Sequence, residues 1–425
     1  MGGGTALLVV LSLIKNTVDN KRNKKEIDNA TKNNAVKRGI VNCKPTSIES
    51  LVDTYGINGN LIISGGNERY RNRAIARLSH QALYKNECVV ILHSGNQLLE
   101  QEIEAEVGTG FVQIFNSSNP NYDPFLNLSR FEVGSIILES SDKQIEPNGR
   151  SIIEGMYDFM TSKNTEPTTY LFATCPYHEL LTKVKTAEAK QIITPAQAQS
   201  IVTKLIQGQL GTPSVANFFY EFYNQSKLVL ASNLKSSYKA SIFSSVMNNK
   251  IVLFDIVSST NNLLINVVAC EIERLFTQGR TVKLIIDGIP FSSSQVLQKI
   301  IKTIGKPHSI VLSDEDLFSL FLGEEQTFFA ISAKAENIYI SKHLSGHTCQ
   351  KWAEIIGYYE KVDIGKSFSK SGGLLFPASI SGGSTVSLSD KREYVIRPEE
   401  ITSMKEEQIY VISKNIVGVL LVNLI

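Results

Sequence analysis

A glycine turn between an apolar strand and a helix is the first place in this sequence where residue types and spacing could support chemistry. The apolar stretch 61–64 leads into Gly65 and Gly66, and a helical pattern follows. Phosphate-binding loops have this outline, because glycines allow close approach of the backbone and a helix N-terminus attracts an anion. The outline therefore predicts either a nucleotide site or an ordinary strand–turn–helix.

Three positions of the loop motif GxxxxGK[ST] are replaced here. Gly65 keeps the first position, but Tyr70 stands for the second Gly, Arg71 for the Lys and Asn72 for the hydroxyl residue. In the motif the Lys reaches the β and γ phosphates and the hydroxyl holds Mg²⁺. Arg71 can bind a phosphate with its larger planar head, whereas Glu68 opposes an anion nearby. The candidate nucleotide contacts are Gly65, Gly66, Arg71 and Asn72.

An acid at the end of a second apolar strand is the next candidate. The run Lys283-Leu-Ile-Ile-Asp287 is followed by Gly288. In P-loop nucleotide hydrolases such an Asp supports Mg²⁺, and in many of them a following Glu polarises the attacking water. Gly288 removes that base, and an Asp that closes a buried strand is the alternative interpretation. Asp287 joins the candidate site, whose cofactors would be ATP and Mg²⁺, and no catalytic residue is predicted.

Other chemistry has less support. His343, His347 and Cys349 are close in sequence, but no fourth ligand accompanies them, and a zinc site needs three or four convergent ligands. We therefore expect no metal site. No Ser/His/Asp order suggests a hydrolase. Arg73 and Arg77 share one face of the predicted helix, which indicates either a solvated surface or a contact with phosphate or DNA.

Length and composition limit the class of protein. A chain of 425 residues is expected to form at least two compact units. Its 43 basic and 41 acidic residues give a net charge of +2, so any contact with nucleic acid must come from a local patch. The five cysteines are scattered without CxxC pairs, which favours a reducing, cytoplasmic setting.

The elements that must position the candidate residues are short buried strands on either side of a helical middle. Apolar runs bounded by turn residues predict strands at 61–64, 88–92, 111–115, 251–256, 282–287, 309–312, 327–331, 337–340 and 408–412. Continuous Ile, Val and Leu runs separated by helices indicate a parallel sheet that is covered on both faces. The expected fold class is α/β.

Helical patterns dominate between the two groups of strands. The longest stretches are 149–160, 195–209, 215–223 and 228–247. We therefore expect an all-α domain at 131–249, inserted into an α/β core formed by 46–130 and 250–425. The stretch 367–389 contains two SGG triplets and is expected to be an exposed loop.

The N-terminus opens on a short apolar segment with a basic flank. Thr5–Ile14 is apolar but shorter than the roughly 20 residues of a membrane helix, and Lys21–Lys25 follows. Residues 1–14 are therefore either part of a membrane anchor or a short packed helix. Residues 15–45 are expected to be a basic linker or a poorly ordered helix.

The order of these features resembles one family. The matching segments are the strand and loop at 61–72, "NPNYDPFLNL" at 119–128, the helical middle, the strand that ends at Asp287, and "REYVIRPEEI" at 392–401. Together they cover about residues 45–413 and look like the coupling proteins of type IV secretion and conjugation, the TraG/TraD family, which is related to the FtsK/HerA translocases. The resemblance implies a RecA-like P-loop core with a mostly parallel sheet, interrupted by an all-α domain.

The resemblance also implies partners and a location. Family members are membrane-anchored, usually hexameric ATPases that receive DNA–protein substrates and feed them to a secretion channel. It implies contacts with secretion or conjugation proteins, with a relaxase or other cargo through the all-α domain, with DNA, and with further subunits of the same or another chain. The expected location is the bacterial cytoplasm at the inner face of the cell membrane, which the N-terminus would contact.

The sequence departs from the family at the positions that perform the chemistry. Arg71 and Asn72 replace the Lys and the hydroxyl residue, Gly288 replaces the acid, and Ser313-Asp314 stands where members often carry a Gln. These changes together would remove phosphate grip, metal ligand and water activation. We therefore expect a pseudo-ATPase that acts as an adaptor or substrate-recruiting subunit.

Two alternatives remain open from the sequence. One is an active but divergent DNA-translocating ATPase that uses Arg71 for phosphate and Asp287 for Mg²⁺. The other is an unrelated α/β interaction protein.

Overall fold

The chain divides into two compact units, each described by itself. The computed structural model describes residues 3–56, 59–141, 145, 148–231, 238–256, 262–321, 324–371 and 381–425, with side chains from residue 17 onward except those at 291, 364, 366–371 and 381–385. The first unit contains 1–45 and 341–423, and the second contains 46–340 and 424–425.

One long helix opens the first unit. It is α1, Gly3–Arg38, and the short strand β1, Ile40–Asn42, follows it. The helix therefore continues through the predicted boundary at residue 14 and through most of the segment expected to be a linker or poorly ordered helix. Among the helices of the described residues, none combines the length and the apolarity that crossing a bilayer requires.

A parallel sheet forms the core of the second unit. Its strands are β2 Leu61–Ser64, β3 Cys88–His93, β4 Val112–Phe115, β5 Ile251–Asp255, β6 Val282–Asp287, β7 Ser309–Asp314 and β8 Asn337–Ile340. Within this unit their order is β8-β2-β7-β6-β3-β5-β4, and every pairing between them is parallel. The expected α/β class with a parallel sheet is confirmed.

Helices connect the strands and cover the sheet. They are α2 Ile48–Tyr55, α3 Glu68–Tyr84, α4 Gln97–Val107, α12 Asn262–Phe276, α13 Gln295–Thr303 and α14 Glu325–Lys334. The strands β2, β3, β5 and β6 are buried at every residue. Strands buried on both faces need continuous apolar runs, which is why the sequence signal for this sheet is strong.

Between β4 and β5, the described residues form helices and isolated bridges. The helices are α5 Arg130–Ser140, α6 Gly149–Ser162, α7 Thr169–Ala173, α8 Leu180–Ala189, α9 Pro195–Gln207, α10 Thr212–Ser226 and α11 Ile242–Met247. Capping boxes at Ser129 and Thr194 start α5 and α9. The domain limits at 131 and 249 stay a prediction.

Two predicted elements in this unit are wrong. Of the helix expected over 228–247, the described residues form α11 alone, because Leu230 and Ala240 instead form bridges with Tyr122; residues 232–237 lie outside the described part. The strand expected over 327–331 lies inside α14, where Phe328, Ile331 and Ser332 are the buried residues. The stretch 327–331 is short, and its periodicity does not separate strand from helix, so the tertiary partners decide.

The rest of the first unit contains α15 Gly346–Ile356, β9 Tyr358–Ser371, β10 Ser381–Tyr394, α16 Pro398–Thr402, β11 Gln408–Ser413 and β12 Val419–Asn423. β12 pairs with β1 in parallel and with β11 in antiparallel orientation. β9 and β10 form an antiparallel hairpin from Tyr358–Tyr394 to Ser371–Ser381. The loop expected over 367–389 is therefore wrong at 367–371 and 381–389, where strand pairing satisfies the Ser- and Gly-rich backbone, and 372–380 lies outside the described residues.

Candidate functional site

A row of polar side chains closes the carboxyl ends of four neighbouring strands. Ser313, Asp287, His93 and Asp255 are lateral partners on β7, β6, β3 and β5. Lateral partners in parallel strands point to the same face of the sheet. All four are buried. Ligand sites of α/β sheets lie at this edge, so the row marks the candidate site.

The turn after β2 needs its two glycines. Gly65 and Gly66 have φ of 85° and 73°, in the left-handed region that side chains rarely adopt. The Gly65 N–H donates to the backbone oxygen of Asp314 at 3.0 Å, which ties the turn to the end of β7. The predicted strand–glycine–helix outline is therefore present.

Several N–H groups that could bind a phosphate here already have acceptors. The Oδ1 of Asn67, the N-cap of α3, accepts from the Arg69 N–H at 2.8 Å. The backbone oxygen of Asn67 accepts from the N–H groups of Tyr70 and Arg71, at 3.1 and 3.3 Å. Asn67 thus accepts from several of the N–H groups at the start of α3, which leaves fewer of them to bind an anion.

Arg71 folds back onto the glycine turn. Its Nη1 donates to the backbone oxygen of Gly66 at 2.9 Å and to that of Gly65 at 3.4 Å. Burial raises the pKa of the Asp314 carboxyl, and the positive charge of Arg71 is among the groups that oppose this rise. The turn therefore presents carbonyl oxygens to a cation of its own chain. A phosphate would need the opposite polarity, with N–H groups facing inward.

A side-chain amide joins the other two predicted residues. The Nδ2 of Asn96 donates to Asn72 Oδ1 at 3.0 Å and to Asp287 Oδ2 at 2.9 Å. The Oδ1 of Asn96 accepts from Asn72 Nδ2 at 3.3 Å and from the Leu99 N–H at 2.9 Å. An amide has two donor hydrogens and two acceptor lone pairs, and Asn96 uses them all.

A buried imidazole lies between two carboxylates beside this amide. His93 Nε2 is 3.4 Å from Glu100 Oε1, and His93 Nδ1 is 3.9 Å from Asp255 Oδ1. The Gly95 N–H donates to Asp255 at 2.7 Å, and the Asn116 amide donates to Glu100 at 3.1 Å. Burial raises the pKa of Asp255.

These three groups are close enough to surround a metal ion, but the ring tautomer opposes it. The atoms lie within 4.8 Å of one another. The Asn96 N–H donates to His93 Nδ1 at 3.2 Å, so a neutral ring carries its hydrogen on Nε2, the atom that faces Glu100. A metal ion at Nε2 would require the other tautomer, in which the hydrogen on Nδ1 would face the Asn96 N–H. We therefore describe the group as an imidazole–carboxylate cluster.

The structure groups the five predicted residues in two places. Gly65, Gly66 and Arg71 meet in the turn, while Asn72 and Asp287 meet through Asn96. Sequence reasoning missed Asn96, although an Asn ahead of the helical stretch that begins at residue 97 is an N-cap signal that could have indicated it.

The arginines on the outer face of α3 have acidic partners. Arg77 forms a two-point pair with Asp53, at 2.8 and 2.9 Å, and contacts Glu106 at 3.2 Å. The hydrogen bond to Asp53 is the main cause that raises the pKa of Arg77. Arg73 lies 2.5 Å from Glu49. These pairs favour the interpretation as a solvated surface over a phosphate or DNA contact.

The cysteine and histidine of the discarded metal pattern have ordinary partners in the first unit. Cys349 Sγ lies 3.7 Å from the backbone oxygen of His343 and 3.3 Å from Thr402 Oγ1. His343 Nδ1 lies 2.8 Å from the backbone oxygen of Ser341.

The parallel sheet, and the glycine turn at the carboxyl ends of its strands, define this chain as an α/β protein with the outline of a phosphate loop. Among solved structures, the chain is similar to the bacterial conjugative coupling protein TrwB in its unbound ΔN70 form, with 12% identity, a TM-score of 0.49, and coverage of 86% of this chain and 84% of that one. It is also similar to TrwB in complex with the non-hydrolysable GTP analogue GDPNP, with 12% identity, a TM-score of 0.48, and coverage of 86% and 85%.

A third similar structure is VirB4 of Thermoanaerobacter pseudethanolicus, with 9% identity, a TM-score of 0.40, and coverage of 86% and 89%. No protein-family profile and no curated protein sequence matches the chain. These identities and TM-scores are too low for a residue's role to be transferred, so the site's own geometry must support any functional conclusion.

Proposed function

We propose that this chain is a coupling-protein-like component of a conjugative DNA-transfer or type IV secretion apparatus, and that it acts without hydrolysing ATP. The link to that apparatus rests on the order of family-like segments over about residues 45–413. The loss of hydrolysis rests on one observation above all, the guanidinium of Arg71 on the carbonyl oxygens of Gly65 and Gly66.

The Arg71 contact opposes a phosphate in two ways. It places the chain's own cation against the turn, and two carbonyl oxygens of the turn accept hydrogen bonds from that cation. Oxygen acceptors repel the oxygens of a phosphate, and the N–H groups of Gly65 and Arg71 already have acceptors. For a phosphate to bind, Arg71 would have to leave and the turn would have to rotate.

The position after Asp287 opposes water activation. Gly288 has φ of 67°, and a glutamate in this left-handed backbone would be strained. The Asp287 Oδ2 that could hold Mg²⁺ accepts from Asn96 instead. The groups that would bind ATP and Mg²⁺ do not fit them here, and we propose no hydrolytic step.

A scaffold without turnover would act by binding. We propose that it recruits substrates or connects components as an adaptor, with the helices between β4 and β5 contacting a relaxase or other cargo. Secretion or conjugation proteins, DNA, copies of this or a related chain, and the membrane near the N-terminus are the further partners of this proposal. It places the protein at the inner face of the bacterial cell membrane.

Genetic complementation tests the proposal. Deletion of the gene from its host is expected to reduce conjugative transfer, and both the wild type and Asp287→Asn are expected to restore it. Asn at 287 keeps an oxygen that accepts from Asn96 but removes the charge that a magnesium-dependent hydrolase needs. Transfer frequency is the measurement, and purified Asp287→Asn with a wild-type thermal midpoint is the control for folding.

Two results would contradict the proposal. Transfer that is unaffected by the deletion would remove the link to conjugation. Restoration by the wild type but not by a correctly folded Asp287→Asn would indicate an active ATPase.

A further inference from the structure

We infer that the side chain of Asn96 takes the position of a divalent cation between α3 and β6, so that this edge of the sheet is closed without a metal ion. The inference rests on the proposed function, because it assigns Asn72 and Asp287 to the two cation-binding positions of a phosphate-loop protein. It adds a positioning residue, Asn96, that the loop motif does not contain.

The amide makes the two contacts that the ion would make. In phosphate-loop proteins the residue after the loop Lys and the acid at the strand end both hold the same Mg²⁺. Here the oxygens at those positions, Asn72 Oδ1 and Asp287 Oδ2, both accept from Asn96 Nδ2, at 3.0 and 2.9 Å. A nitrogen donor thus stands between two oxygens that would otherwise converge on a cation.

Contacts with Leu99 and His93 fix the orientation of Asn96. Its Oδ1 accepts from the Leu99 N–H at 2.9 Å as the N-cap of α4, and its own N–H donates to His93 Nδ1. Rotation of the amide to admit an ion would break the cap and reverse both contacts with Asn72. Because caps of this kind stabilise a helix by about 1 kcal/mol, the bridging orientation is favoured.

Burial makes the bridge important. Asn72 and Asp287 are only 1% and 6% exposed, so an unpaired carboxylate or amide there would be destabilising. A magnesium ion would supply two positive charges to this position, whereas Asn96 supplies hydrogen bonds alone. Arg71, the residue before Asn72 on α3, directs its positive charge to the glycine turn instead.

Asn96→Asp is the most direct test, because it changes one donor group and keeps the size of the side chain. The new carboxylate still accepts from Leu99 and Asn72, but it faces Asp287 at hydrogen-bond distance and repels it. We expect its thermal midpoint to fall by roughly 5 °C and to recover in millimolar Mg²⁺ or Mn²⁺. The wild-type midpoint is expected to be the same with and without these ions.

The matched control is Asn266→Asp. Asn266 is also buried, and its amide donates to the backbone oxygen of Ser140 at 3.1 Å and accepts from Ser294 Oγ at 2.5 Å. Its aspartate variant should lose stability without recovery by divalent ions. If Asn96→Asp does not fold, Asn96→Ser keeps a capping oxygen but removes the bridge, and its midpoint should also become dependent on Mn²⁺.

These thermal measurements use divalent ions without nucleotide, so their outcomes test the inference separately from the proposed function. A wild-type midpoint that rises and saturates with Mg²⁺ would show an open cation position and overturn the inference. Equal responses of the Asn96 and Asn266 variants to divalent ions would do the same, because Asn96 would then only cap α4. Neither outcome depends on whether the protein takes part in conjugation.

Discussion

Single residues determine the polarity of the edge site. Arg71 directs its guanidinium toward the carbonyl oxygens of a turn that would face N–H groups toward a phosphate in a working loop. Asn96 places a neutral amide where a cation would join Asn72 to Asp287. Both side chains make these contacts within the chain.

Removal of the Arg71 side chain should destabilise the second unit. Arg71→Ala would leave two carbonyl oxygens and the Asp314 carboxylate without this cation, and hydrogen bonds from charged groups each contribute about 1.5–3 kcal/mol. We expect a loss of about 2 kcal/mol in the free energy of unfolding, measured with urea. Arg69→Ala, at an exposed position on the same helix, should change it by less than about 0.5 kcal/mol. Equal effects of the two substitutions would mean that the Arg71 contact contributes nothing.

The sequence predicts those parts of the site whose residues are consecutive, and it does not predict contacts between residues that are distant along the chain. The glycine turn could be predicted, because the strand, the two glycines and the helix are consecutive. The replaced positions at Arg71 and Asn72 could be predicted in the same way. The sequence does not reveal that Arg71 points back to the turn, because residue type does not determine the partner. It also does not join Asn96 to Asp287, since only the adjacent pairing of β3 and β6 brings them together.

Elements are tied together in the second unit by a buried carboxylate. Glu271, on α12, accepts from the Phe243 N–H of α11 at 2.7 Å and from the Tyr122 hydroxyl at 2.9 Å. Burial raises the pKa of Glu271 to about 7, although these hydrogen bonds oppose the shift. The ordinary value is 4.5, so the protonated form is favoured by the fold.

This shift predicts a dependence of stability on pH. A carboxyl with a raised pKa contributes most below its ordinary value of 4.5, and the contribution is lost as pH rises through about 7. Glu271→Gln does not titrate, so its unfolding free energy relative to wild type should rise by about 3 kcal/mol between pH 4.5 and pH 8. Urea unfolding of both proteins at several pH values measures it. The buried Asp123, whose pKa is raised to about 6, titrates in both proteins, so its contribution cancels in the difference between them.

A difference between wild type and Glu271→Gln that is constant across this pH range would contradict the pKa shift. Glu273→Gln, on the same helix but with a partly exposed side chain beside Lys299, provides the background for the loss of a carboxylate.

Element types followed the strength of the sequence pattern. Strands such as β3 and β6 are continuous apolar runs, and their prediction is confirmed. The stretch 327–331 inside α14 is expected to be a strand, because so short a run fits either period. The stretch 367–389, which includes parts of β9 and β10, is expected to be a loop, since Ser and Gly composition does not reveal a strand partner that lies further along the chain.

At the largest scale, the second unit combines an α/β scaffold with an edge site in which Arg71 and Asn96 make their hydrogen bonds to other groups of the chain. The parallel sheet and the glycine turn have the arrangement that the sequence leads us to expect. In the account that we propose, Arg71 and Asn96 take the places of the nucleotide and the metal ion. In the function that we propose, such a protein would connect partners by binding, without a cycle of hydrolysis.

Calorimetric titration of the purified wild-type chain with ATP and Mg²⁺ tests this account most directly. We predict no heat beyond dilution at ATP concentrations up to about 1 mM, because Arg71 and Asn96 would both have to leave their contacts. Saturable binding that requires Mg²⁺ and disappears in a folded Asp287→Asn would contradict the account, since it would show that the edge site still accepts a nucleotide.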